Sequence, residues 1–212
     1  MDLLVIGGSR GIGLETVRAG LAAGHRMRAF ARSAGKLSFQ DPGFLAIEGD
    51  ALDADAVAAA AEGADAVIQT LGLPVNRSTV FAPVDTVSRA TAVTLRAMER
   101  ARTRRLLAVT GFGAGRSREA MSALERLGHG AILGKIYEDK SRQERLIMDS
   151  ALDWTVVRPV ILTNRPARGR YQVLVEPKDW RNGLISRKDV AAFLIRAAGD
   201  PALIGKDPVL VG

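Results

Sequence analysis

The chain contains no cysteine among its 212 residues, so neither a disulfide framework nor a thiolate metal site can form. Its two histidines, His25 and His129, stand apart and lack carboxylates at metal-ligand spacing, so no metal site is expected. Aromatic residues make up only 5% of the chain. The two basic clusters, Arg100–Arg105 and Arg165–Arg170, are not interleaved with rings on which bases could stack, so nucleic acid is not an expected partner. No apolar run reaches the ~18 residues of a membrane span, and no Gly-x-Ser-x-Gly elbow offers a hydrolase nucleophile. Asp2 ahead of a short apolar run is not a secretory pattern, so the expectation is a soluble cytoplasmic protein without a membrane partner.

What is present is an ordinary core-forming composition, 47% hydrophobic, on a chain of one-domain length. The formal charge is +7, from 30 Lys+Arg against 23 Asp+Glu. Because the basic residues are scattered, this excess reads as a solvated surface with local sites for anionic ligands. Composition leaves monomer and homodimer both open.

The hydrophobic pattern alternates between strand and helix. Leu3–Ile6, Arg26–Ala31, Phe44–Glu48, Asp65–Leu71, Leu106–Thr110 and Trp154–Arg158 read as strands. Between and after them, helices are expected over Gly11–Ala23, from the N-cap Asp53 to Glu62, and over Asp85–Arg102, Glu138–Ser150 and Arg187–Ala198. Val209–Val211 closes the sheet as an edge strand. Single helices between strands imply a doubly wound parallel sheet covered on both faces, an α/β Rossmann-type domain spanning residues 1–212. Two stretches break the rhythm: 111–135, rich in glycine, and 163–180, rich in Pro, Arg and Gly. Both follow strand C-termini, where ligands bind in open parallel sheets, so both read as substrate loops.

The stretch "LLVIGGSRGIGLE" sets glycines between the first strand and the first helix. A glycine at the strand end permits a sharp turn, one at the helix start lets a diphosphate reach free N–H groups, and a third lets helix and strand pack closely. Gly7, Gly8, Ser9, Arg10, Gly11, Ile12 and Gly13 are therefore the expected diphosphate site of a dinucleotide. An NAD site usually carries an acid at the end of the second strand, about 20 residues on. Here Arg32 stands there, with Arg10 and Lys36 in reach, and a guanidinium matches a 2′-phosphate, so NADP(H) is the expected cofactor.

The spacing Gly7-xxx-Gly11-x-Gly13 is similar to the TGxxxGxG signature of short-chain dehydrogenases/reductases, with Ile6 at the usual Thr. "GDALDADAVAAAAEGADAVIQTLG", "SALDWTVVRP" and "LISRKDVAAFLIRAA" resemble segments of the atypical single-domain members. Among these are the biliverdin-IXβ reductase/flavin reductase type and the NmrA-like NAD(P)H-binding proteins. The resemblance implies that Asp50 and Ala51 lie beside the adenine and that Thr70, Leu71 and Gly72 pass under a ribose. It also implies that Pro159, Val160 and Ile161 border the nicotinamide.

The catalytic pattern departs from that family. Its Tyr-xxx-Lys pair is absent; in "GKIYEDKSRQERLIMDS", Tyr137 and Lys140 are three apart. Lys140 falls where a proton donor or nicotinamide-ribose contact sits in the biliverdin/flavin reductases, and Tyr137 is a second candidate acid. Thr110 and Gly111 stand where the family often has serines; Thr110 can offer a hydroxyl near the nicotinamide amide, whereas Gly111 offers none. Reducing a simple carbonyl needs a positioned proton donor, while a conjugated acceptor can take its proton from water. The expected activity is thus NADPH-dependent hydride transfer to a planar conjugated small molecule such as a flavin, quinone or tetrapyrrole. An NmrA-like NADP(H) sensor without turnover and an epimerase/dehydratase-like enzyme stay open.

Overall fold

In the computed structural model, residues 1–72 and 84–212 are described, excepting the side chains of residues 124, 125 and 127–133. The strands are β1 (Asp2–Ile6), β2 (Arg26–Ala31), β3 (Phe44–Glu48), β4 (Ala66–Gln69), β5 (Arg105–Val109), β6 (Asp153–Pro159), β7 (Ile161–Thr163), β8 (Gln172–Leu174), β9 (Leu184–Ser186) and β10 (Val209–Val211). The described helices are α1 (Gly11–Ala22), α2 (Ala54–Ala61), α3 (Thr86–Ala101), α4 (Ala123–Met148) and α5 (Arg187–Ala198). None of them is long and apolar enough to cross a membrane.

The main sheet runs β3-β2-β1-β4-β5-β6-β10-β8, and every pairing is parallel except β10 with β8. Strand order reverses between β1 and β4, which makes the cleft beyond their C-terminal ends the ligand crevice of an open α/β sheet. Alternate strand residues feed two cores. Leu3, Val5, Ile68, Leu107 and Val157 meet α1 and α5 on one face, while Leu4, Ile6, Val67, Leu106 and Val156 meet α2, α3 and α4 on the other. Each such fully buried side chain contributes about 1.5–3 kcal/mol.

Two expectations are corrected here. Val209–Val211 is not the edge: β10 lies between β6 and β8, and β8, inside the stretch read as a loop, takes the edge. And α4 starts at Ala123 rather than Glu138, so the second half of the stretch 111–135 is helical. Gly128, Gly130 and Gly134 lie within that helix although each costs about 1 kcal/mol against alanine there, which is why the segment reads as irregular.

Caps and buried charges fix the helices. Asp53 caps α2 by accepting the N–H groups of Asp55 and Ala56. The N-cap of α3, Asp85, makes no such bond; buried Asp139 of α4 instead accepts the N–H groups of Val87 at 2.9 Å and Ser88 at 3.3 Å. The fully buried Arg158 of β6 grips Glu144 of α4 through two bonds (2.9 and 2.7 Å) and donates to the Asp207 carboxylate at 2.7 Å. Arg116 holds Asp207 from outside at 2.8 and 2.5 Å, and both guanidiniums lie over the Trp180 ring. Burial alone would push the Asp207 carboxyl up, but the two arginines outweigh it and hold the group below its ordinary range.

Removing one member of such a network strands charge in the interior. Arg158→Met is expected to cost about 3–5 kcal/mol of stability, read as a drop in the urea midpoint. Adding Glu144→Gln, which removes a stranded charge, should restore part of it; an unchanged midpoint in the single variant contradicts the assignment.

Candidate functional site

The chain leaves β1 through Gly7 (φ +87°) and enters α1 at Gly11 (φ +57°), both in the region that favours glycine. A Cβ on Gly13 would stand 2.3 Å from the Gly7 carbonyl oxygen and 2.5 Å from Thr70 Oγ1, so the first turn of α1 lies directly on the strand end. Thr70 donates its hydroxyl to the Ile6 carbonyl at 3.1 Å and fills the space beneath the glycines. Its side chain thus supports the turn. At Gly11, by contrast, a Cβ would meet nothing within 4 Å. The first N–H groups of a helix have no intrahelical acceptor. Those of α1 receive no side-chain cap, and its first turn carries no acid. An open, electropositive cradle of this kind fits a diphosphate.

The residues expected at the adenosine end lie past β2 and β3. Ser33 donates to Ser9 at 3.0 Å, tying the loop after β2 to the glycine turn. Arg32 next to it is exposed, as are Arg10 and Lys36, and none of these side chains has a partner among the described residues. Asp50 is exposed and accepts the Leu52 N–H at 3.0 Å, which shapes the turn after β3; Ala51 packs on the core. Sequence reasoning overlooked Glu48. It pairs with Ala31 in register, and one of its carboxylate oxygens is 2.8 Å from where a Cβ on Gly35 would stand.

At the other end, Thr110 is buried and its hydroxyl donates to Glu144 at 2.7 Å, away from the amide role expected of it. The Lys140 ammonium donates to the Thr110 carbonyl at 2.5 Å. Burial brings its pKa down to about 8, opposed in part by Glu144 and Asp139. A Cβ on Gly111 would be 3.0 Å from the Tyr137 hydroxyl, so the glycine makes room for that ring, whose pKa burial pushes up. Thr110, Gly111, Tyr137 and Lys140 are therefore brought together. Of the segment after them, the Pro159 carbonyl accepts from Phe112 and the Val160 N–H donates to Leu210, with Val160 itself in the core. Ile161 alone of the three presents an exposed side chain. Leu71 packs beside Gly7, and Gly72 is exposed. The side chain of His129 lies outside the described residues.

The Arg158–Glu144–Asp207 network was missed, and its signal was one arginine inside the apolar strand "WTVVRP". Also missed was Asp189, buried in the first turn of α5. Its carboxylate accepts the N–H groups of Arg168 and Gly169 and the Ser186 hydroxyl, pinning the loop after β7.

A reversed-order parallel sheet with a bare glycine turn at its switch point and unpartnered arginines beside it defines a dinucleotide-binding domain of the Rossmann type. More particularly, the chain belongs to the NAD(P)H-binding family, whose profile matches residues 7–201. It is similar to ChuY, an anaerobilin reductase from Escherichia coli O157:H7, at 28% identity and a TM-score of 0.82, covering 100% of this chain and 97% of that one. Two more distant structures share the fold. One is the oxidoreductase ylbE from Lactococcus lactis (19% identity, TM-score 0.84, 100% and 91% covered). The other is a short-chain dehydrogenase/reductase from Veillonella parvula in complex with NADP (16% identity, TM-score 0.82, 100% and 94% covered). No curated protein matches the chain.

Gly13→Ala should displace the turn, because the atom it meets first is backbone. Nucleotide affinity is expected to fall at least about tenfold, together with a lower melting temperature. Gly11→Ala, whose Cβ meets no protein atom, should cost less stability while still weakening NADPH; titration of both variants by nucleotide fluorescence checks the pair.

Proposed function

We propose that this protein uses NADPH to reduce a planar conjugated small molecule, with a linear tetrapyrrole as the leading acceptor class. The observation that carries the reading is the far end of the cleft, where the Lys140 ammonium donates to the Thr110 carbonyl and the Thr110 hydroxyl is turned away into a buried network. Such a site can orient an acceptor, and it lacks the Tyr-xxx-Lys pair with which short-chain reductases protonate a simple carbonyl. Bound NADPH supplies the hydride. The first turn of α1 would receive its diphosphate, Arg32 and Arg10 the 2′-phosphate, and the edge near Asp50 its adenine. Lys140 would hold a proton at Nζ for the acceptor carbon or nitrogen that becomes basic on reduction. The likeness to ChuY supports the tetrapyrrole among the three acceptor classes, and the NADP in the Veillonella structure agrees with the phosphorylated cofactor. The same engaged Thr110 hydroxyl also favours a second reading, an NADP(H) sensor without turnover.

NADPH oxidation at 340 nm with biliverdin, FMN and a quinone separates the two. Steady oxidation with one of them supports the reductase, and tight NADPH binding without oxidation supports the sensor. Arg32→Ala should weaken NADPH about 10–100-fold and leave NADH within about twofold, as loss of a charge-assisted contact predicts; equal losses contradict the 2′-phosphate assignment. The Lys140 ammonium is present below pH about 8 and is lost above it. Turnover should therefore fall as pH rises through that value. In Lys140→Met that limb should vanish and the rate drop about 100-fold.

A further inference from the structure

The layer formed by β7 and β9 carries an apolar feature that adjoins the cofactor cradle. Ile161 and Leu184 are directly opposite each other in its register, and both are strongly exposed, at 58% and 47%. Residues at paired positions of adjacent strands share a face, so the two side chains form one apolar ledge. Leu162 and Ile185, the next pair, turn the other way into the core. Thr163, two residues on from Ile161, lines a cavity of about 200 Å³ together with Gly11, Glu15, Asn164, Arg165, Arg187 and Lys188. Charge in that cavity is lopsided. The one acid in its lining, Glu15, is bound to Arg18 at 2.8 Å. Arg187 is committed to Asn164 at 2.7 Å. Arg165 and Lys188 have no partner among the described residues.

An apolar ledge beside two uncompensated cations is complementary to a molecule with an apolar plane and an acidic arm. We infer that the acceptor is a carboxylate-bearing planar molecule, its ring system seated on Ile161 and Leu184 and its carboxylate held by Arg165 and Lys188. This rests on the reductase reading above. The cofactor diphosphate is the competing anion, but the open first turn of α1 and the unpartnered Arg10 already answer its charge. The two cations, moreover, directly follow the strands of the ledge, Arg165 after β7 and Lys188 in the first turn of α5 after β9. Asp189 keeps that arrangement in register by binding the backbone of Arg168 and Gly169.

The test uses biliverdin and its dimethyl ester as probes, with binding read by bilin absorbance on NADP+-loaded protein and turnover read as NADPH oxidation. Wild type should prefer the diacid at least tenfold in Kd and KM. Arg165→Ala/Lys188→Ala, both exposed positions, should abolish that preference while kcat and NADPH Kd stay within twofold. Equal affinity for acid and ester in wild type, or no binding of either, overturns the inference. So does a double variant whose loss falls on NADPH, because the cations then serve the diphosphate. Preferred binding of the diacid without any NADPH oxidation would uphold the anion site and sink the reductase reading; oxidation without acid preference does the reverse.

Discussion

One buried guanidinium, that of Arg158, sets the geometry of the reacting half of the cleft. A charge in the interior persists only when it is paired and its hydrogen bonds are satisfied. Here Glu144 and Asp207 together take up Arg158, and Trp180 covers it. The consequences spread outward. Glu144 belongs to α4, so the grip fixes the height of that helix against β6 and with it Tyr137 and Lys140. Glu144 also draws in the Thr110 hydroxyl. Even Gly115 is constrained, since it has φ +50° and a Cβ there would lie 2.0 Å from Glu144 Oε2. The Thr110 hydroxyl, expected near the nicotinamide amide, is thereby built into the scaffold.

The opposite half of the cleft depends on absence of side chains. Gly7, Gly13 and Thr70 interlock so closely that turn, helix and β4 form one rigid unit. Gly11 faces open space from the same unit. Rigidity below and access above together make the first turn of α1 a receptor for an anion, since the dipole can act only where the backbone can be approached.

The geometry of this second half was legible in the sequence; of the first, Thr110, Gly111, Tyr137 and Lys140 could be named, but not the grip that positions them. Strand–glycine–helix order is local, so Gly7–Gly13, the Asp53 cap and strands β1 to β6 could be read from periodicity and spacing within a few residues. The N-terminal part of α4 could not, because three glycines disfavour helix locally and only tertiary context overrides that preference. The place of β10 beside β6 is likewise a long-range pairing. Arg158 and Glu144 were visible as residues, but a mutual grip between a strand and a helix has no spacing rule. Glu48 escaped notice because its nearness to Gly35 arises from β2–β3 register.

The +7 charge acquires a location from the structure. At the N-terminal edge of the sheet, arginines are paired: Arg28 with Asp2 at 2.7 Å, and Arg104 with Asp153 at 3.3 Å. Arg105 there donates to the Ala197 and Asp153 carbonyls. At the C-terminal edge, Arg10, Arg32 and Lys36 have no partner among the described residues, and neither do Arg165 and Lys188. Those three arginines are thus structural, while these five cations are uncommitted. Unpaired cations around a cleft repel one another and raise the local potential, which favours occupancy by anions and speeds their encounter. A dinucleotide triphosphorylated in total and an acidic acceptor would both relieve that repulsion, and each bound anion would lessen the pull on the next.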